Sequence, residues 1–227
     1  MNPKGVHTVI TMTETWRFWH LISAALPVGA FQYSQGLETA IHRGEITSAS
    51  TAERWLNALM KEGVGRVDLP IICRVYRAWS AQDEDGVRYW DRWSRAYRET
   101  DELRREELAM GHALAKWAET IDEQIPEDVE GFTSLYAVLA AKTGSPLQEV
   151  LAGYLWMWAE NLSLVAAKLL PLGHLEAQRM LRNLCKQIDP VIERAVSLED
   201  NELGANTLGV FMMSARHETQ ASRLFRS

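Results

Sequence analysis

The side chains best suited to metal or acid–base chemistry are scattered along this chain of 227 residues. No histidine has another histidine or a cysteine three or four positions away, the spacing at which one helix face presents two metal ligands. We therefore predict no metal site and no cofactor, and we interpret each histidine as a surface or core-edge residue. The six are His7, His20, His42, His112, His174 and His217.

A run of carboxylates between positions 99 and 107 is the second candidate for chemistry. A di-metal helix would pair such acids with a Glu-x-x-His motif, which is missing here. Arginines are interleaved with the acids at or near i,i+4 spacing, a pattern typical of a solvated helix face. We predict such a face rather than a metal site. The acids are Glu99, Asp101, Glu102, Glu106 and Glu107, and the arginines are Arg98, Arg104 and Arg105.

Motifs of common enzyme classes are also missing from the sequence. There is no GxxxxGK phosphate loop, no GxGxxG after a strand and no HExxH. We predict no catalytic residues and a protein that is not an enzyme. The alternative is a helical enzyme or cofactor- or small-ligand-binding protein with a pocket among its nine tryptophans.

Composition narrows the class of protein. Hydrophobic residues make up 47% and charged residues 24%, as in ordinary soluble domains. The net charge of -6 argues against nucleic acid as a partner. Without a signal peptide, Cys73 and Cys185 are expected to be free thiols in the cytoplasm. The most apolar stretch, residues 150–172, contains Glu160 and Lys168, so a buried core helix is favoured over a membrane span.

Apolar residues recur at helical spacing along almost the whole chain, without strand alternation. The pattern predicts an all-α fold: a single helical-bundle-like domain of about nine or ten helices over residues 11–213. Its central element is a helix of about 24 residues with Ser145 as the N-cap and Pro146 as the first helical residue. A capping box is expected at Ser50 and Glu53, and a bend is expected near Thr100. Residues 1–10 are predicted to be a mobile leader and residues 214–227 a flexible, basic docking tail.

The loop between the first two predicted helices is the least ordinary run in the chain. Proline and glycine set its backbone angles, and two aromatic residues lie within it. Ser34 is placed to cap the next helix, with Glu38 near the positive helix end. Physical reasoning alone favours a helix–loop–helix corner whose aromatics fill the core. The run is Leu26-Pro27-Val28-Gly29-Ala30-Phe31-Gln32-Tyr33-Ser34-Gln35-Gly36-Leu37-Glu38.

Three stretches together resemble the urease accessory protein F family (UreF). The loop is similar to LPxGxYxxSxGLE, with Phe31 where tyrosine is usual. Residues 98–111 are similar to RETxELRxEExxxG, and residues 214–227 resemble the ending HExQxxRLFxS. A weaker match lies at residues 168–174, where His174 replaces a family glutamine. The stretches follow the family order.

The resemblance implies an all-helical, non-enzymatic cytoplasmic protein that forms a homodimer. It implies binding to the accessory protein UreH/UreD and recruitment of the nickel-carrying GTPase UreG to apo-urease, with modulation of its GTP hydrolysis. No cofactor, nucleic acid or membrane is expected. A direct nickel carrier is a further alternative, against which the scattered histidines and cysteines argue.

The resemblance also implies a partner-binding site that joins the loop to the tail. We expect the tail to be disordered in the free protein and to fold on contact with the partner, anchored by Leu224 and Phe225. Arg223 is predicted to hydrogen-bond Tyr33 and so to shape the loop. The predicted site residues are Tyr33, Ser34, Gly36, Glu38, Arg216, His217, Glu218, Arg223, Leu224 and Phe225.

Overall fold

A computed structural model of the protein describes residues 12–227 and leaves the predicted leader, residues 1–10, outside the described residues. The described part contains eleven α-helices and no strand, so the prediction of a single all-α domain is confirmed. The helices are α1 (Met12–Leu21), α2 (Leu37–His42), α3 (Ala49–Leu59), α4 (Asp68–Ser80), α5 (Glu84–Ala96), α6 (Asp101–Thr120), α7 (Phe132–Lys142), α8 (Leu147–Leu169), α9 (His174–Cys185), α10 (Ile188–Ser197) and α11 (Leu208–His217).

Helix α8 lies at the centre of the domain, as its apolar pattern predicts. It packs against α3, α4, α7, α9 and α10, so most of its circumference is covered. Leu155 and Leu162 are buried, with at most 1% of their surface exposed. The helix begins one residue later than predicted because Pro146, not Ser145, occupies the N-cap position. Among residues 12–227, no helix is long and apolar enough to cross a membrane.

Two helix starts differ from the sequence-based prediction. The bend near Thr100 is a full break, because the Thr100 hydroxyl accepts a hydrogen bond from the Leu103 amide and starts α6 as a new helix. The capping box expected at Ser50 and Glu53 lies instead at Ser48 and Thr51, whose side chains bond each other's backbone amides. In both places a side-chain hydroxyl accepts a hydrogen bond from a backbone amide that has no partner within the helix, and this sets the residue at which the helix begins.

The prediction that the acids of α6 form a solvated face is wrong for three of them. Glu102, Glu106 and Glu107 are only 5%, 7% and 5% exposed. Helix α6 lies between α7 on one side and α11 on the other, so these carboxylates point into contacts made by distant parts of the chain. The face that remains in solvent carries Arg104 and Arg105.

Two glycines permit the close packing around this region. Gly36 has a φ of +80°, and a Cβ on it would lie 3.1 Å from the Cβ of Met213 and 3.2 Å from the carbonyl oxygen of Val210. The start of α2 therefore abuts α11 at a distance that a side chain would prevent. Gly111 on α6 is also closely covered, because a Cβ there would overlap the carbonyl oxygen of Glu130.

Candidate partner-binding site

The C-terminal segment, residues 218–227, packs against the loop of residues 26–38 and against α6. The Arg226 amide donates to the carbonyl oxygen of Gln32 at 2.7 Å, and the Ser34 amide donates to the main-chain oxygen of Ser227 at 2.8 Å. The structure therefore gives no support to a flexible tail. Sequence reasoning missed that the body itself supplies hydrogen-bond partners for the tail backbone.

Glu38 is the main acceptor for the tail. The residue is 7% exposed, and its carboxylate accepts hydrogen bonds from the amides of Leu224 at 2.7 Å and Phe225 at 3.0 Å. Hydrogen bonds to a charged group are about twice as strong as neutral ones, and two of them fix the course of the tail. The sequence analysis expected Glu38 to act on the helix end, whereas in the structure its carboxylate bonds the tail backbone.

His217 is fully buried between two carboxylates. Its Nε2 lies 3.0 Å from Glu38 Oε2, and its Nδ1 lies 2.9 Å from Glu102 Oε2. The interpretation of His217 as a surface or core-edge residue is wrong. The reason is that α11, which ends at this residue, packs against both α2 and α6, so the imidazole lies between a carboxylate of each helix.

The predicted bond between Arg223 and Tyr33 is absent among the contacts of the described residues. Arg223 Nη1 donates to Glu102 Oε1 at 3.0 Å instead. A buried carboxylate is the stronger acceptor for a guanidinium than a phenol, so this pairing prevails. Tyr33 is itself buried, and burial raises the pKa of its hydroxyl while a hydrogen bond with Arg226 opposes that rise. The arginine beside Tyr33 is thus three residues further along the tail.

Ser34 bonds the tail as well as its own helix. Its hydroxyl accepts from the Glu38 amide at 3.3 Å and donates to the main-chain oxygen of Ser227. The N-cap of α2, however, is Gly36, whose left-handed conformation starts the helix two residues later than expected. The prediction of Ser34 as the N-cap is therefore wrong in position, although its hydroxyl does bond an amide of the first turn.

Glu106 and Gln35 join the loop, α6 and the tail in one place, and neither was predicted as a site residue. The Gln35 amide group donates to Glu106 Oε1 at 2.7 Å, and the Ser227 hydroxyl donates to Glu106 Oε2 at 2.9 Å. The Trp158 indole on α8 donates to Gln35 at 3.0 Å and holds it in place. Burial raises the pKa of Glu106 to about 7. The only sequence signal was that both residues lie inside family-like motifs.

The remaining predicted residues divide into buried and exposed ones. Phe225 is 6% exposed, with the Lys168 ammonium 5.4 Å from its ring centre, whereas Leu224 is 57% exposed. Only Phe225 is therefore an anchor on the body. Arg216 and Glu218 are exposed, and Glu218 accepts a hydrogen bond from the Asp101 amide at the start of α6.

A second buried charge cluster lies on the body side of α6. Arg98 Nη2 contacts Asp68 Oδ1 and Glu107 Oε2, each at 2.7 Å. The hydroxyl of Thr133 also accepts from Arg98. Burial acts to lower the pKa of Arg98, but Asp68 and Glu107 hold it well above its usual value. The guanidinium therefore stays charged inside the domain.

Comparison with known proteins agrees with the family resemblance. The UreF family model matches residues 46–185. The urease accessory protein UreF of Alkalilimnicola ehrlichii is 40% identical over 93% of this chain and 95% of its own length. Those of Pseudoalteromonas translucida and Alcanivorax borkumensis are each 39% identical, over 91% and 93% of this chain and 92% and 97% of their own lengths. The chain belongs to the urease accessory protein UreF family.

In this member of the UreF family, the three motifs converge on one junction of loop, α6 and tail. A cavity of about 100 Å³ lies behind the junction, beside Arg98, Glu106 and Trp158. Pockets for drug-sized ligands usually measure about 300–1,000 Å³. This space is smaller, but an open groove of about 380 Å³ beside Trp19 and Trp156 falls within that range, so the ligand-binding alternative remains open. Within residues 12–227, no group of three or more histidine, cysteine, aspartate or glutamate side chains is arranged to hold a metal ion.

Proposed function

We propose that this UreF-family chain is a non-enzymatic accessory protein of urease maturation. In this proposal it forms a cytoplasmic homodimer, binds UreH/UreD and recruits the nickel-carrying GTPase UreG to apo-urease, modulating its GTP hydrolysis. The observation that carries the proposal is the convergence of three family motifs, far apart in sequence, on one junction. Such convergence is what a shared docking surface requires.

The outer side of the junction offers groups suited to a protein partner. Arg105, Arg223 and Arg226 surround a shallow groove lined by Tyr33 and Phe225. Arginine and tyrosine are enriched among the residues that dominate binding energies at interfaces. Arg105 pairs with Asp101 and Arg223 with Glu102, so the three guanidiniums exceed the acids paired with them by one charge. This local excess contrasts with the net charge of -6 of the whole chain and supports a partner surface that carries carboxylates.

A pull-down from cells that co-express the accessory proteins tests the proposal. We expect the double variant Arg223→Gln, Arg226→Gln to recover at least about ten-fold less GTPase, since a loss of about 1.4 kcal/mol in binding is a factor of ten. Arg88→Gln on α5, whose contacts are Glu84 and Asp85 of the same helix, is the matched control.

Unchanged recovery of the GTPase with the double variant would exclude the junction as its docking surface. Circular dichroism and thermal melting of each variant distinguish a lost contact from a lost fold. The expectation that the isolated chain binds no nickel tightly stays a prediction, and equilibrium dialysis is its measurement. One tightly bound nickel per chain would instead favour the direct-carrier alternative.

A further inference from the structure

The groove of about 380 Å³ beside Trp19 and Trp156 lies between α1 and the first half of α8. The α8 residues that line it have i, i+3, i+4 and i+7 spacing, so they share one face of that helix. They are Glu149, Ala152, Gly153 and Trp156, and α1 contributes Phe18 and Trp19. Both tryptophans remain in contact with solvent, because Trp19 is 60% exposed and Trp156 is 39% exposed.

The apolar lining of the groove is fixed by the packing of α1 on α8. Gly153 has no side chain, and a Cβ on it would lie 2.6 Å from Cζ of Phe18 and 2.9 Å from Cγ2 of Ile22. Phe18 is buried, whereas the next residue, Trp19, is exposed at the groove. The groove therefore has a closely packed apolar lining and two accessible indoles.

Among the described residues that line the groove, Glu149 alone carries a charge. It is exposed and has no hydrogen bond or ion pair within residues 12–227. It lies in the first turn of α8, where the helix dipole favours a negative charge. Trp19 and Trp156 have no ring or cation–π partner in the same part of the chain. An unpaired carboxylate and two indole faces all attract a cation.

We propose that this groove docks an arginine side chain presented by a partner protein. The aliphatic part of an arginine packs on an apolar surface, while its planar guanidinium stacks on an aromatic ring and pairs with a carboxylate. The apolar lining, the two indoles and Glu149 supply one partner for each of these groups. A neutral or acidic side chain would leave the carboxylate without a partner.

The exposure of the groove favours a protein partner over a free small cation. Pockets for small ligands usually cover about 70–90% of the ligand surface, whereas both tryptophans of this groove are themselves accessible. The exposed apolar surface also continues beyond the groove. Trp16, one turn before Trp19 on α1, is 51% exposed and lies in a neighbouring cleft with Ile121, which is 43% exposed. A broad surface of this kind, rich in tryptophan, is typical of protein interfaces.

The groove and the tail junction lie on different faces of α8. Successive residues of an α-helix are about 100° apart, so Trp156 and Trp158 leave the helix in nearly opposite directions. Trp158 bonds Gln35 at the junction, whereas Trp156 lines the groove. The inference therefore goes beyond the proposed function, because it assigns a second docking surface that does not depend on binding of the GTPase at the junction.

Peptide binding to the full chain tests the groove. The probe is a blocked tripeptide with a central arginine between two alanines, and its control carries citrulline, which keeps the shape of arginine without the charge. We expect the arginine peptide to shift the indole NMR signals of Trp19 and Trp156. We expect it to bind at least about ten-fold more tightly than the citrulline peptide, which lacks the cation–π contacts and the ion pair.

Two variants separate the charge from the indoles. Glu149→Gln and Trp156→Leu should each weaken binding of the arginine peptide by about two- to five-fold. Glu149→Gln should leave binding of the citrulline peptide unchanged. Trp16→Leu, which removes an exposed tryptophan of α1 outside the groove, is the matched control and should bind like the parent. Thermal melting of each variant shows that the fold is retained.

Three results would overturn the inference. The first is equal binding of the two peptides, or indole signals of Trp19 and Trp156 that do not move. The second is tighter binding of tetramethylammonium than of the arginine peptide, which would assign the groove to a free small cation. The third is a change in sedimentation of Glu149→Gln or Trp156→Leu without peptide, which would identify a second copy of the chain as the occupant.

Discussion

Glu106 and Glu107 are neighbours on α6, both buried, and point into two different environments. Glu107 faces the body, where the charged Arg98 lies at 2.7 Å and the Thr133 amide donates at 2.9 Å. Glu106 faces the tail, where both of its partners are neutral side chains, Gln35 and Ser227. The hydrogen-bond partners of Glu107 include a cation, whereas those of Glu106 are neutral donors only.

The two environments indicate two different roles. The cluster around Arg98 stabilises the fold, and the junction positions the tail. The partners of Arg98 come from α4, α6 and α7, which form the body. The tail-side acids Glu38, Glu102 and Glu106 bond residues at or beyond the end of α11. Changes in the Arg98 cluster should therefore unfold the domain, whereas changes on the tail side should chiefly release the tail.

The largest effect is expected from Arg98→Met. The variant leaves Asp68 and Glu107 buried without their cation, and breaking a buried pair in this way costs about 3–5 kcal/mol. Denaturant unfolding followed by circular dichroism measures it. Arg88→Met, which removes an arginine paired only with exposed acids of its own helix, should unfold like the parent. If Arg98→Met also unfolds like the parent, the cluster does not stabilise the body.

The apolar core gives the second prediction. Leu155→Ala and Leu162→Ala should each lower the free energy of unfolding by about 2–5 kcal/mol, because each truncation leaves a cavity within α8 packing. Leu164→Ala, on the same helix but 47% exposed, is the matched control and should change little. Equal stability of all three variants would contradict the central position of α8.

Sequence reasoning predicted α8 well and the buried acids of α6 badly, for a physical reason. The apolar residues of α8 repeat every three or four positions, so the buried helix is visible within one short segment. The burial of Glu102 depends on its contact with His217, which is 115 residues away in the sequence. Glu38 contacts the same histidine, from which it is separated by 179 residues. No local pattern carries that information.

The motifs supplied part of what the local pattern could not. They predicted that Tyr33, Ser34 and Glu38 lie near the tail, and the structure brings the loop and the tail into contact. They could not assign partners within the site, since Arg223 pairs with Glu102 rather than with Tyr33. Pairing depends on which acids are desolvated, and that depends on how the tail folds back on the body.

The smallest effect is expected from Glu106→Gln, and it appears in the pH dependence of stability. Burial raises the pKa of Glu106 to about 7, from an ordinary value near 4.5. The folded state therefore binds more protons than the unfolded state between these two values. Stability from this group is fully present below about pH 4.5 and is lost as the pH rises through about 7.

Glu106→Gln removes that titration but keeps an amide that can bond Gln35 and Ser227. We expect the parent to lose about 1–3 kcal/mol relative to the variant between about pH 4.5 and pH 8, since one pKa unit corresponds to about 1.4 kcal/mol. Urea unfolding of both proteins across this range measures the difference. If the two stability curves stay parallel, Glu106 is ionised in the folded protein at neutral pH, and the contrast with its neighbour Glu107 does not hold.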